Sequence, residues 1–266
     1  MTKTSTIMLI HGFWVTPLCW EKFAGHFEKL GHTVVAPAWP GMEAGVEALR
    51  ADPSPVVGLG VTEIVEHFAR LISGLDEPPV LIGHSYGGLI VQLLLDRGFG
   101  TAGVAIGSGM PKGVLRLPLS TLRSNWPAVS NPANRRRAVP LSLAQFTYAF
   151  ANTLSPDQVQ AAYDRYVVPG SGRMLFQAGL ANVTPNAATT VDYRNADRAP
   201  LLLIAAGEDH VIPPSLVRAI ARKYRRSAAR TDYHEFPCRS HLLIVEEGWR
   251  NVADHALGWA LGVRRT

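Results

Sequence analysis

Residues 81–90 read Leu-Ile-Gly-His-Ser-Tyr-Gly-Gly-Leu-Ile, with Ser85 set between Gly83 and Gly87 where an apolar run stops. Val80-Leu-Ile82 has the composition of a buried strand, and Leu89 to Leu95 is apolar over a helix-like length, so Ser85 falls where a strand turns directly into a helix. So tight a turn forces strained backbone angles on its central residue and presses the flanking positions against neighbouring main chain, which glycine tolerates. The hydroxyl is thereby lifted to the edge of the sheet, at a helix N-terminus that favours developing negative charge. The plain alternative is a Gly-Ser loop that merely joins strand to helix; agreement between the G-x-S-x-G pattern and both flanking elements argues against it.

A serine is a weak nucleophile alone, so this reading demands a carboxylate and then a histidine later in the chain. The apolar run Leu201 to Ala205 ends in Gly207-Glu-Asp-His-Val-Ile-Pro213, which puts Asp209 at the C-terminal edge of a strand, where open α/β sheets place their sites. Glu208 is its nearest competitor. The other usual place for the acid, after the strand that follows the serine's helix, is empty: Arg97 through Pro156 contains no Asp or Glu. Of nine histidines, His241 alone stands between the last strand and the terminal helix. His234 falls within the strand, His255 within the helix, and His210 beside the acid. Two backbone N–H groups are also needed for an oxyanion, one from Tyr86 and one from Phe13, where Gly12 lets the main chain approach. His11 reads as structural.

Apolar runs at Ile7–Ile10, Thr33–Ala36, Val80–Ile82, Gly103–Ile106, Leu201–Ile204 and Tyr233–Phe236 alternate with segments of helical period. That is the pattern of an α/β fold: a mostly parallel sheet flanked by helices. Trp20, Phe23, Phe27 and Leu30 predict one buried helix face, Ile64, Phe68, Leu71 and Leu75 another, and residues 246–261 a terminal helix. The alternation breaks over 109–199, where no strand is evident. There Leu143, Phe146, Thr147, Phe150 and Leu154 predict one helical face, and Ser155-Pro-Asp-Gln158 a capping box opening a second helix through Tyr166. The chain therefore divides into a core of 1–108 and 200–266 and a helical insertion of 109–199, acting either as a lid or as a packed layer remote from ligand.

At 266 residues, 47% hydrophobic and 18% charged, the chain can bury one large core. The net charge of +5 is spread along it without any nucleic-acid-reading signature, and Arg135-Arg-Arg137 and Arg222-Lys-Tyr-Arg-Arg226 read as solvated surface. Cys19 and Cys238 have no metal or redox spacing and read as reduced packing residues. Neither a signal peptide nor an apolar run long enough to span a membrane is evident, so a soluble cytoplasmic protein is expected.

His11-Gly-Phe-Trp14, Gly83-His-Ser-Tyr-Gly-Gly88, Gly207-Glu-Asp-His-Val-Ile-Pro213 and Ser240-His-Leu242, in that order, resemble the α/β-hydrolase superfamily over nearly the whole chain. That resemblance implies Ser85 as nucleophile, His241 as base, Asp209 as acid, Phe13 and Tyr86 as oxyanion-hole amides, and no cofactor. Two departures are the absence of antiparallel strands before the first motif and a Gly207–Asp209 spacing one residue tighter than is common. The fold alone does not fix the reaction. Serine at position 85 disfavours the dehalogenases and epoxide hydrolases that use aspartate there. An esterase or lipase acting on a small-molecule ester is expected, while lactonase, amidase, C–C hydrolase and a non-catalytic receptor remain open. His11-Gly-Phe-Trp14 also resembles the plant methylesterase and hydroxynitrile lyase branch, but Gly12 and Leu242 replace the threonine and lysine of the lyases. Trp14, Trp126, Phe146, Phe150 and Phe176 are either pocket lining or core.

Overall fold

Strands that are apolar on both faces need helices on both faces, and the computed structural model, which describes residues 4–263, has that arrangement. The first half runs β1 (Thr6–Ile10), α1 (Glu21–Lys29), β2 (Thr33–Val35), α2 (Val46–Ala51), α3 (Val61–Ser73), β3 (Val80–His84), α4 (Tyr86–Asp96) and β4 (Ala102–Ile106). Between residues 109 and 199 come α5 (Leu119–Val129), β5 (Ala138–Val139), α6 (Leu143–Ala149), α7 (Pro156–Tyr166), β6 (Gly170–Ser171) and α8 (Gly172–Gly179). The sheet then resumes with β7 (Leu201–Ala206), α9 (Pro214–Tyr224), β8 (Thr231–Phe236) and α10 (Trp249–Val263).

Six strands form one sheet in the order β2-β1-β3-β4-β7-β8, every neighbouring pair parallel. Every residue of β3, β4 and β7 is buried, so these central strands need the apolar cover that α4 and α10 supply. α1 and α10 meet through His26 Nε2 and Asp254 at 2.6 Å and through the rings of Phe23 and Trp249. Because the chain goes out to β2 and then returns past β1 to β3, the order reverses beside β1. The C-terminal ends of β1 and β3 are thus brought side by side, the position where open α/β sheets bind ligands.

Several details differ from the sequence reading. Residues 109–199 do contain strands, though β5 and β6 are only two residues each and pair with one another, antiparallel; so short a pair leaves no periodic signal. Leu71 and Leu30 are exposed, and the buried face of α3 runs through Ile64, Val65, Phe68 and Ile72. The face expected from Leu143 to Leu154 breaks at α6, which stops at Ala149 with Leu143 and Thr147 exposed. Ser142 and Gln145 form a second capping box like that of Ser155 and Gln158. Cys19 is buried as a packing residue, but Cys238 is exposed, at a positive φ. The terminal helix begins at Trp249, after a turn in which Gly248 takes φ 81°.

A Cβ added at Gly258, in the exposed part of α10, meets no atom within 4 Å. Gly258→Ala should therefore raise stability by about 1 kcal/mol in urea unfolding, the ordinary helix-propensity gain.

Candidate active site

Ser85 follows β3 and caps α4 with φ 55° and ψ −119°, a region that side chains other than glycine rarely enter. Its backbone is held on two sides. Ser85 N–H donates to Ile106 O at 2.8 Å and Ser85 O accepts from Gly109 N–H at 2.9 Å. The turn also presses against its surroundings, since a Cβ at Gly87 would stand 2.0 Å from Ile10 O and one at Gly83 would stand 2.2 Å from Gly87 O. Glycine at both positions is a requirement of close approach rather than of chain reversal.

His241 and Asp209 reach Ser85 from the far strands. Asp209 lies in the turn after β7 and is 2% exposed, while Glu208 beside it faces solvent. Asp209 Oδ1 accepts from the N–H groups of Val211 and Ile212 at 2.8 and 2.7 Å. Its Oδ2 accepts from His241 Nδ1 at 2.6 Å, and Ser85 Oγ donates to His241 Nε2 at 2.9 Å. A carboxylate on Nδ1 places the imidazole proton there and leaves Nε2 as the acceptor. All three side chains are buried. Gly107, at φ 50° after β4, lies beneath this pair, and a Cβ there would come within 3.3 Å of both Asp209 Oδ2 and His241 Nδ1.

The loop that bears His241 is braced by His84, Phe150 and Glu246. His84 Nε2–H donates to His241 O at 2.8 Å, and the Phe150 ring meets the His241 ring edge-on at 4.8 Å. Glu246 accepts from Ser240 N–H and from the hydroxyls of Ser240 and Thr153; burial raises its carboxyl above the usual range although these donors oppose the shift. Sequence reasoning missed Gly107, Glu246 and Ser240. Gly107 left a trace as a glycine at a strand end like Gly12, and Ser240 stands in the Ser240-His-Leu242 motif; Glu246 left none.

Gly12 brings the backbone after β1 against the serine, since a Cβ there would stand 2.9 Å from Ser85 Cβ. Phe13 is the next residue. Tyr86 is the first residue of α4, so its N–H has no acceptor within the helix. His11 accepts from Trp39 N–H at Nε2 and contacts Gly12 O through Nδ1, with its ring stacked on Trp39. Burial lowers its pKa to about 4 and drives that of His84 well below the ordinary value, the latter helped by nearby His241.

A cavity of about 240 Å³ opens from Ser85 beneath α5 and α8. Its walls are chiefly aliphatic, with Leu89, Leu122, Leu175 and Ile212 among them. The aromatic lining considered from the sequence is not there: Phe146 and Phe150 are core, Trp126 is exposed, and Trp14 borders a separate cleft and donates from its indole to Val139 O. Residues 109–199 bind the loops around the serine through Val168 N–H to Trp14 O and Leu242 N–H to Phe150 O. Among the described residues no His, Cys, Asp and Glu side chains gather as a metal site requires, and no helix is long and apolar enough to cross a membrane.

The model of the alpha/beta hydrolase family matches residues 7–255. Among solved structures, an extracellular alpha/beta-hydrolase from a Paenibacillus species is 20% identical with a TM-score of 0.69, covering 96% of this chain and 98% of its own. The monoacylglycerol lipase of Paleococcus ferrophilus is 20% identical with a TM-score of 0.68, over 97% of this chain and 94% of the other. A thermophilic esterase from Thermogutta terrifontis is 18% identical with a TM-score of 0.70, over 99% and 92%. At these identities the likeness is one of fold. No curated protein sequence matches the chain significantly.

Two outcomes follow from this geometry. Gly87→Ala should destabilise by about 3 kcal/mol or more, read by urea unfolding, because the Cβ collides with main chain. His11 is held neutral in the folded state, with its pKa lowered from 6.5 to about 4, so its contribution is intact above pH 6.5 and is lost as pH falls towards 4. Relative to His11→Gln, the wild type should lose about 3 kcal/mol over that window in urea unfolding measured at several pH values.

Proposed function

The chain belongs to the alpha/beta hydrolase family, and from that premise we propose that it is a serine esterase cleaving carboxylic esters of small or medium apolar substrates. One observation supports this above the others: an unbroken hydrogen-bonded chain from Ser85 Oγ through His241 to Asp209, at 2.9 and 2.6 Å, at the floor of an apolar cavity.

In this reading Ser85 Oγ attacks the ester carbonyl as its proton passes to His241 Nε2. Asp209 holds the imidazole in that orientation and stabilises the imidazolium. The Phe13 and Tyr86 amides receive the oxyanion, each donor of this kind being worth roughly 3 kcal/mol in the barrier. Protonation of the leaving alcohol by His241 leaves an acyl group on Ser85, and a water deprotonated by His241 releases the acid. No cofactor takes part. The helices of 109–199 serve as a cap in which Leu122 and Leu175 receive the apolar part of the ester. A cavity of about 240 Å³ is smaller than the usual ligand cleft of roughly 300 Å³ or more, which suits short and medium chains better than long ones.

The test is hydrolysis of p-nitrophenyl esters from acetyl to decanoyl. Wild type should cleave the shorter members best, Ser85→Ala should lower kcat by about 10⁶-fold, and Asp209→Asn by about 10⁴-fold. Wild-type rates in Ser85→Ala would remove Ser85 from the reaction.

A further inference from the structure

Two stretches of the chain, 97–156 and 165–191, contain no Asp or Glu. Between them they contribute α5 and α8, which meet over the cavity, with Leu117 and Leu122 on one wall and Gly179 on another. The outer surface at this place is apolar. Leu115, Leu119 and Val183 are 81%, 83% and 79% exposed, and Leu117 and Trp126 are more than half exposed. Outside residues 115–126 and 180–183, no large hydrophobic side chain among the described residues is exposed by as much as half.

These side chains form one surface. Asn182 Nδ2 donates to Val114 O at 2.9 Å and its Oδ1 accepts from Gly113 N–H at 2.7 Å, which ties the loop of Leu115 to the turn of Val183. Leu119, Leu122 and Trp126 recur at positions i, i+3 and i+7 of α5, one side of the helix. A cationic border accompanies them. Arg116 and Arg123 are exposed within the strip. Arg135-Arg-Arg137 is exposed on the turn joined to α5 by Asn134 Nδ2 donating to Ala128 O at 2.8 Å. Among the described residues none of these five arginines forms an ion pair with a carboxylate; Arg123 instead lies over the Tyr148 ring.

Exposed leucine, valine and tryptophan around a cavity mouth mark an interaction surface. A rim of arginine without carboxylates selects a negatively charged partner. We propose that this face docks on an anionic lipid–water interface, with the apolar strip entering the headgroup boundary and the arginines meeting lipid phosphates. The same patch on a second copy would set arginine against arginine across a two-fold interface, so a lipid surface fits the charge where self-association does not. Docking places the cavity mouth against the phase in which amphiphilic esters reside; that benefit rests on the proposed esterase activity, whereas the docking itself does not.

The experiment is co-sedimentation of the full chain with vesicles of phosphatidylcholine alone or mixed with phosphatidylglycerol. Binding should be at least about tenfold tighter to the mixed vesicles and should weaken with salt, each arginine near the surface being worth about fivefold. Leu115→Ser/Leu119→Ser/Val183→Ser and Arg135→Gln/Arg136→Gln/Arg137→Gln should each lower vesicle affinity about tenfold or more. Both should keep wild-type circular dichroism and wild-type hydrolysis of a soluble p-nitrophenyl ester. Ser85→Ala should bind vesicles as wild type does, so loss of the esterase reading would leave this result standing. Absence of binding to the mixed vesicles, undiminished binding by the Leu/Val variant, or concentration-dependent dimerisation without vesicle binding would each overturn the proposal.

Discussion

The closest packing at the site is between the turn at Ser85 and the end of β1. There the main chain of residues 83–88 approaches Ile10 O so nearly that no Cβ fits at Gly87, and the backbone at Gly12 touches the serine side chain. This contact fixes three things at once. It sets the unusual φ and ψ of Ser85, aims the first turn of α4 at the space above the sheet, and brings the main chain after β1 within reach of the same space. Strain at Ser85, of the order of 1–3 kcal/mol, is tolerated because hydrogen bonds to Ile106 and Gly109 hold the turn from β4 as well.

Around that fixed point the other groups are positioned by backbone. Two N–H groups hold Asp209, His84 holds the carbonyl of His241, and Glu246 holds the residue before it. Burial without such partners would cost each carboxylate far more than its contacts return. The buried histidines His11 and His84 are neutral in this arrangement, so the positive charge a proton transfer would create on His241 meets no second cation from either.

Much of this was legible in the sequence because short-range rules govern it. The six parallel strands came from apolar runs, and the turn at Ser85 from glycine spacing. The positions of Asp209 and His241 came from their place after β7 and β8. What was not legible depends on contacts between distant segments. Leu71 and Ile72 are both apolar and one residue apart, and only packing against α4 decides which is buried. Likewise β5 and β6 exist because residues 138 and 171 meet, and Glu246 matters because it folds back onto Ser240. The cavity's aliphatic walls come from α4, α5, α8 and the turn after Asp209, a combination without any linear pattern.

In the proposed mechanism Ser85 Oγ is the activated nucleophile. A fluorophosphonate ester probes this, since a serine activated by an adjacent base displaces its fluoride far faster than an ordinary hydroxyl does. Intact-mass and peptide analysis should find a single adduct, on the peptide containing Ser85, and none after His241→Ala. An adduct on another residue, or ester hydrolysis that persists once Ser85 is fully modified, would remove Ser85 from that role.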